Sequence, residues 1–272
     1  KYIKDGPNTI NSDELNRIKK YFSEPNYKKI TKDDLKSHEK DKSFNQWVSK
    51  CTNPHKKKGY RSVIFSLKAT GNPPGDATSS QMRAVATLSE EYSFGEIRVS
   101  HEQNLILADV QEDKLHELWV KAKKHHLVTP NIGLLTDIIC CPGGDFCSLA
   151  NAKSIPIAQS IQDLFEDIDY LHDIGDINLN ISGCMNACGH HHVGHIGILG
   201  VDKDGSEWYQ VTIGGNQGNS ASIGKVIGPS FSANEMPFVI KKIIEVYLNN
   251  RYEEEIFIDC VSRIGLDPFK KY

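Results

Sequence analysis

The sequence predicts an α+β protein built from two consecutive units, and three observations carry that reading. Between residues 59 and 127, apolar residues alternate at strand spacing in three short runs and recur at helical spacing in two longer ones, in the order β-α-β-β-α. From 128 onward, helical stripes and alternating runs are interleaved and separated by turn residues, as in a mixed α/β arrangement. Five of the seven cysteines fall between Cys140 and Cys188, all inside this second unit.

Residues 1–58 are lysine-rich, with basic runs at Lys19-Lys20, Lys28-Lys29 and Lys56-Lys57-Lys58. Asn11 offers a cap to a short amphipathic helix carrying Leu15, Ile18 and Phe22, and the segment as a whole reads as a solvated connector. The next unit opens with Val63, Phe65 and Leu67 alternating as a half-buried strand, ended by the turn Gly71-Asn-Pro-Pro-Gly75. Asp76 and Thr78 then start a helix with Met82, Val85, Ala86 and Leu88 on one side. Ile97 and Val99 mark a second strand, Leu105 to Leu107 a third, and Leu115, Leu118, Trp119 and Ala122 a closing helix. That order is most of a ferredoxin-like unit whose final strand is not visible, which leaves a sheet edge seeking a partner. The polar string Arg98, Ser100, His101, Gln103 and Asn104 reads as the wet face of an alternating strand; its alternative is a set of donors facing a cofactor carboxylate or a partner repeat.

In the second unit, Pro130 and Gly133 break the chain before Leu134 to Ile139, which lead into Cys140. Past Cys147 a helical stretch is expected from Ser148, continuing as one apolar stripe through Ile157, Ile161, Leu164, Phe165, Ile168 and Leu171. Ile177, Leu179 and Ile181 alternate as a strand that ends at Ser182-Gly183. Ile196 to Leu199 and Trp208 to Ile213 form a hairpin about Asp204-Gly205. The loop Gly214-Gly-Asn216 permits close backbone approach, Asn234 is expected to cap a helix, and a last helix over about 253–264 holds Cys260 as a core thiol.

The chemistry concentrates in two loops. Cys141 and Cys147 stand six positions apart in a Gly- and Pro-bent loop, and Cys184 and Cys188 four apart in a second. Two pairs of thiols make a four-ligand pocket suited to a soft or iron-sulfur centre rather than a hard cation. Structural zinc, disulfides and loose core cysteines are the alternatives, although the first spacing is wide for a zinc knuckle and a chain of this size needs no staples. His190, His191, His192 and His195 follow closely, but four thiols already fill a site, and the histidines are expected to face solvent or bond to backbone.

The formal net charge of −3 argues against general nucleic-acid binding, and no stretch reaches the length of a membrane span. No signal peptide is visible at the start, and thiols kept as ligands point to a reducing, cytoplasmic setting.

The motif Cys141-Pro with Cys147, the motif Gly183-Cys184-Met-Asn186-Ala-Cys188-Gly189, the run His195 to Gly200 and the later Gly214-Gly-Asn216 resemble the C-terminal half of the siroheme-dependent nitrite and sulfite reductases. The likeness extends back through Gly59-Tyr-Arg-Ser and Glu96 to Leu105, covering roughly 59–265. It implies that Cys141, Cys147, Cys184 and Cys188 hold a 4Fe-4S cluster, with Cys188 also ligating siroheme iron; Cys140 has no counterpart in the pattern. The implied domains are a linker at 1–58, a ferredoxin-like half-domain at 59–127 and a cluster- and siroheme-binding domain at 128–272. The implied reaction is the six-electron reduction of sulfite to sulfide or of nitrite to ammonia, fed by a flavoprotein or ferredoxin for which the lysine-rich segment is a candidate docking patch. The family is an internal duplication with its anion-binding basic residues largely in the N-terminal half. The chain is therefore expected to need that repeat or a second copy, and not to reduce sulfite alone. A cluster ligand at a helix start after Cys147 completes the expectation.

Overall fold

A computed structural model of the chain describes residues 10–22, 24–29 and 41–270. The first helix, α1 (Ser12–Lys19), is capped by the Asn11 side chain, which accepts from Glu14 N at 2.8 Å, and it buries nothing. Helix α2 (Lys42–Cys51) behaves differently. Its apolar face places Phe44, Trp47 and Cys51 in the first unit's core, while Lys42 and Lys50 pair with Asp169 and Asp176 of the second unit. Strand β1 (Thr52–Pro54) continues from it and pairs antiparallel with β2 (Tyr60–Phe65).

The connector reading of 1–58 therefore fails for residues 42–54, because a helix with one wholly apolar face has a core to enter. The rest of that segment lies partly outside the described residues. The same finding corrects the missing-strand reading. Helix α3 (Ser79–Tyr92), β3 (Arg98–Val99), β4 (Leu105–Gln111) and α4 (Leu115–Lys123) follow as the β-α-β-β-α order predicts, and the sheet runs β1-β2-β4-β3. The edge position beside β2 is filled from upstream by β1 rather than by a strand after α4, so the polar backbone of β2 is paired on both sides.

Capping explains α3: Thr78 and Gln81 form a reciprocal box. Its buried stripe is Val85, Leu88, Ser89 and Tyr92, whereas Met82, expected on that stripe, is 61% exposed.

The second unit is a five-stranded sheet in the order β5-β6-β7-β8-β9, made of β5 (Ile139–Cys140), β6 (Leu179–Ser182), β7 (Ile196–Lys203), β8 (Ser206–Ile213) and β9 (Lys225–Val226). Strands β5, β6 and β7 are parallel, and β7, β8 and β9 antiparallel. Asp204 and Gly205, both left-handed, close the β7-β8 hairpin in two residues.

Between β5 and β6 lie α5 (Gly143–Phe146), α6 (Ile155–Leu164) and α7 (Ile168–Ile174). The expected continuous stripe is thus broken at 165–167, where Asp167 caps α7 through the N–H groups of Asp169 and Tyr170. Pro156 in the first turn of α6 sets where that helix starts, so residues 148–154 are irregular and no helix begins at Cys147. Helices α8 (Met236–Asn250) and α9 (Phe257–Ile264) cover the sheet. Pro237, not the Asn234 side chain, marks the start of α8, and Cys260 is fully buried in the core.

Candidate metal centre

Parallel pairing brings the two cysteine loops together. Cys140 lies opposite Ile181 in the β5-β6 register, so both strands deliver their following loops to the same edge. Cys141 N then donates to Ile181 O at 3.1 Å, and Gly183 N donates to Cys141 Sγ at 3.1 Å. The chain after Cys147 folds back on the same point: Asn151 N and Ala152 N both donate to Gly183 O, at 2.9 and 3.1 Å. Only glycine fits at 183, because a Cβ there would stand 2.6 Å from Ala152 O. A Cβ at Gly189 would collide outright with Ile181 O, which fixes the far end of the second loop against β6. Within that loop Ala187 is left-handed and closes turns on both sides, receiving at its carbonyl the His190 N–H at 2.8 Å.

Cys141 and Cys184 are buried, Cys147 is half-buried and Cys188 is exposed. Cys140 points elsewhere. It belongs to the hydrophobic core, its thiol bonds to Cys141 O at 3.2 Å, and burial, followed by its neighbour Cys141, pushes its pKa up. Cys51 and Cys260 are likewise core thiols raised by burial. Among the described residues every cysteine is free. No group of three or more His, Cys, Asp or Glu side chains there stands together as a ready-made metal site.

The four histidines divide between surface and interior. His190 and His192 are exposed, and His195 is buried with Nδ1 accepting from Asn178 N at 3.2 Å. His191 is 1% exposed, its ring 3.9 Å from that of His192, and burial with the neighbouring imidazole holds its pKa down at about 4.

The polar string divides in two. Arg98 pairs with Glu96 and His101 with Glu102 at the surface. Gln103 and Asn104 turn inward, which neither expectation anticipated. The Gln103 side chain donates to Cys140 O at 2.8 Å and accepts from Cys140 N at 3.0 Å, replacing a neighbouring strand along β5. Asn104 donates to Asp137, which also takes the fully buried Lys68 ammonium at 3.0 Å. Lys68 and Asp137 had no place in the motif reading, since no local pattern marks a long-range buried pair.

A cavity of about 500 Å³ opens where the units meet, with Met82, Val99 and Gln103 on one wall and Cys141, Pro142 and Phe146 on the other. Apolar side chains stand open around the cysteine loops: Phe146 is 80% exposed, Leu149 70% and Met185 82%.

The family model "Nitrite and sulphite reductase 4Fe-4S domain" matches residues 134–272, and "Nitrite/Sulfite reductase ferredoxin-like half domain" matches 54–125. An assimilatory ferredoxin-dependent nitrite reductase of Haloferax mediterranei is 28% identical over 73% of the chain and 35% of its own length. A ferredoxin sulfite reductase of Mycolicibacterium paratuberculosis is 26% identical over 78% of the chain and 40% of its length. The chain thus spans little more than a third of these relatives. An assimilatory-type sulfite reductase of Nitratidesulfovibrio vulgaris, 23% identical over 73% of the chain, is matched across 88% of its length. Among solved structures, Mycobacterium tuberculosis NirA aligns with a TM-score of 0.65 and 26% identity over 80% of this chain and 40% of that one.

Proposed function

The chain belongs to the nitrite and sulphite reductase family, and from that premise we propose that Cys141, Cys147, Cys184 and Cys188 hold its 4Fe-4S cluster, with Cys188 shared with siroheme iron. The observation that carries this is the junction at Gly183, whose N–H meets the Cys141 sulfur while its carbonyl takes two amides from the chain behind Cys147. A cuboidal cluster spreads its four sulfurs wider than a single ion does, which suits two loops that approach edge to edge. All-thiol donors and an amide aimed at sulfur suit iron-sulfur chemistry. Cys188, the exposed thiol, is the one open to a second group. When bound, the cluster and tetrapyrrole supply electrons and the iron at which the anion loses oxygen.

The chain's own residues hold and shield that assembly. Gln103 and the Lys68–Asp137 pair lock the first unit against β5, and the exposed Phe146, Leu149 and Met185 offer an apolar face to a second repeat or a second copy. We place sulfite first as substrate, because the relative matched over most of its own length is a sulfite reductase; nitrite is the second reading, from the Haloferax relative. Ferredoxin is the donor we infer, from the names of the same relatives, in a reducing compartment such as the cytoplasm. Among the described residues no helix is long and apolar enough to cross a membrane.

Anaerobic preparation with iron, sulfide and siroheme, followed by methyl-viologen-driven turnover of each anion, tests the reading. Four irons per chain from a cluster and siroheme bands in the visible spectrum are expected, with sulfite consumed faster than nitrite wherever turnover is seen. A chain that binds neither group overturns it. Turnover by the isolated chain favours a self-contained reductase, as the Nitratidesulfovibrio match suggests, over one that needs a second repeat.

A further inference from the structure

The Cys141 sulfur meets two buried polar groups, a backbone amide and a side-chain hydroxyl. Gly183 N donates at 3.1 Å, and Ser154 Oγ lies at 3.4 Å. Ser154 is 0% exposed and sits just before α6, where a serine ordinarily caps the helix, yet its side chain makes no cap bond. The hydroxyl is boxed in instead. A Cβ on Gly143 would stand 2.7 Å from Ser154 Oγ, and one on Gly183 3.0 Å from it, so two glycines make the room that lets this oxygen reach the sulfur.

We propose that Ser154 is a positioning residue that raises the reduction potential of the cluster by donating an O–H···S hydrogen bond to Cys141. This rests on Cys141 being a cluster ligand, as argued above. A coordinating cysteine is a thiolate without a proton, so the hydroxyl is the only partner of the two able to donate. Negative charge on the cysteine sulfurs grows when the cluster takes up an electron. A donor held at one of them therefore stabilises the reduced form more than the oxidised form. Removing the hydroxyl leaves the Gly183 amide as the sulfur's remaining protein donor.

The test is a redox titration of the holoprotein followed by electron paramagnetic resonance. Ser154→Ala is expected to keep its iron and to lower the reduced-to-oxidised ratio at the wild-type midpoint about tenfold, which is about 59 mV for one electron. Ser154→Thr, which keeps the hydroxyl, is expected to restore most of that shift. An unchanged midpoint in Ser154→Ala overturns the proposal. Should the alanine variant fail to hold its cluster, electron-nuclear double resonance on the wild type decides: a rapidly exchanging proton coupled to the cluster supports the bond, and its absence overturns it. Cys141→Ala separates the two levels. If it retains all its iron, the ligand reading itself fails; if it loses the cluster while Ser154→Ala leaves the midpoint unmoved, only the role of Ser154 fails.

Discussion

Both sheets bury an apolar face, the five-stranded one against the larger core, yet only that one brings the paired cysteines to one edge. In the four-stranded sheet every neighbour is antiparallel. Loops after adjacent antiparallel strands emerge at opposite ends, and the two that do meet, after β2 and β3, carry no thiols and are tied by bonds such as Lys68 Nζ to Glu102 O and Leu67 N to Asn104 Oδ1. In the five-stranded sheet, β5, β6 and β7 are parallel, so loops that start at Cys141 and Gly183 leave from the same edge although 42 residues separate them. Parallel pairing costs a long crossover, here α5 to α7, and in return it gathers distant loops at one point.

The largest test of this contrast is a pair of cysteine substitutions. Cys184→Ser, at the strand edge, is expected to abolish cluster retention, whereas Cys140→Ala, one residue before Cys141, should retain full iron and cost only about 1 kcal/mol of stability; iron and sulfide analysis reads both. Next in size is Trp47, fully buried in the antiparallel unit. Trp47→Ala is expected to lose about 3–5 kcal/mol in denaturant unfolding, and a loss under 1 kcal/mol would show that α2 lies outside that unit's core.

The pair that joins the two sheets comes third. Lys68→Met leaves Asp137 buried without its cation and should cost about 3 kcal/mol or more, while Lys68→Met with Asp137→Leu should recover much of it. Gln103→Leu is expected to cost about 1–2 kcal/mol by freeing the Cys140 peptide, and to speed iron release to a chelator.

The smallest expected effect is a pH dependence. His191 is held neutral by burial, with its pKa lowered to about 4 from an ordinary 6.5. In that window the unfolded chain binds a proton that the native chain does not, so stability falls as pH drops from 6.5 towards 4 and is unaffected above 6.5. Urea midpoints at pH 7 and pH 5 should therefore converge in His191→Phe relative to the wild type.

Much of this was legible in the chain itself. The β-α-β-β-α order, the Asp204-Gly205 hairpin and the buried Cys260 followed from periodicity and turn chemistry, which are local properties. The errors share one cause. Residues 42–54 looked like connector because composition averages lysines with the single apolar face that carries Phe44, Trp47 and Cys51. The stripe from Ile157 to Leu171 looked continuous because Asp167, which ends one helix and caps the next, is a single residue in a favourable pattern. Met82 keeps helical phase but faces the cavity.

Spacing alone determined that four thiols occur as two loop-borne pairs, and composition that the chain has core enough to hold them. How the two adjacent thiols, Cys140 and Cys141, are placed was decided only by tertiary structure. Cys140 and Cys141 are adjacent in sequence, but alternation along a strand turns one into the core and the other to the edge where Gly183 and Ser154 meet it. The Lys68–Asp137 pair, the Gln103 contact to Cys140 and the upstream edge strand belong to the same class. Each depends on residues brought together across long stretches of chain, and long-range geometry of that kind leaves no periodic trace in the sequence.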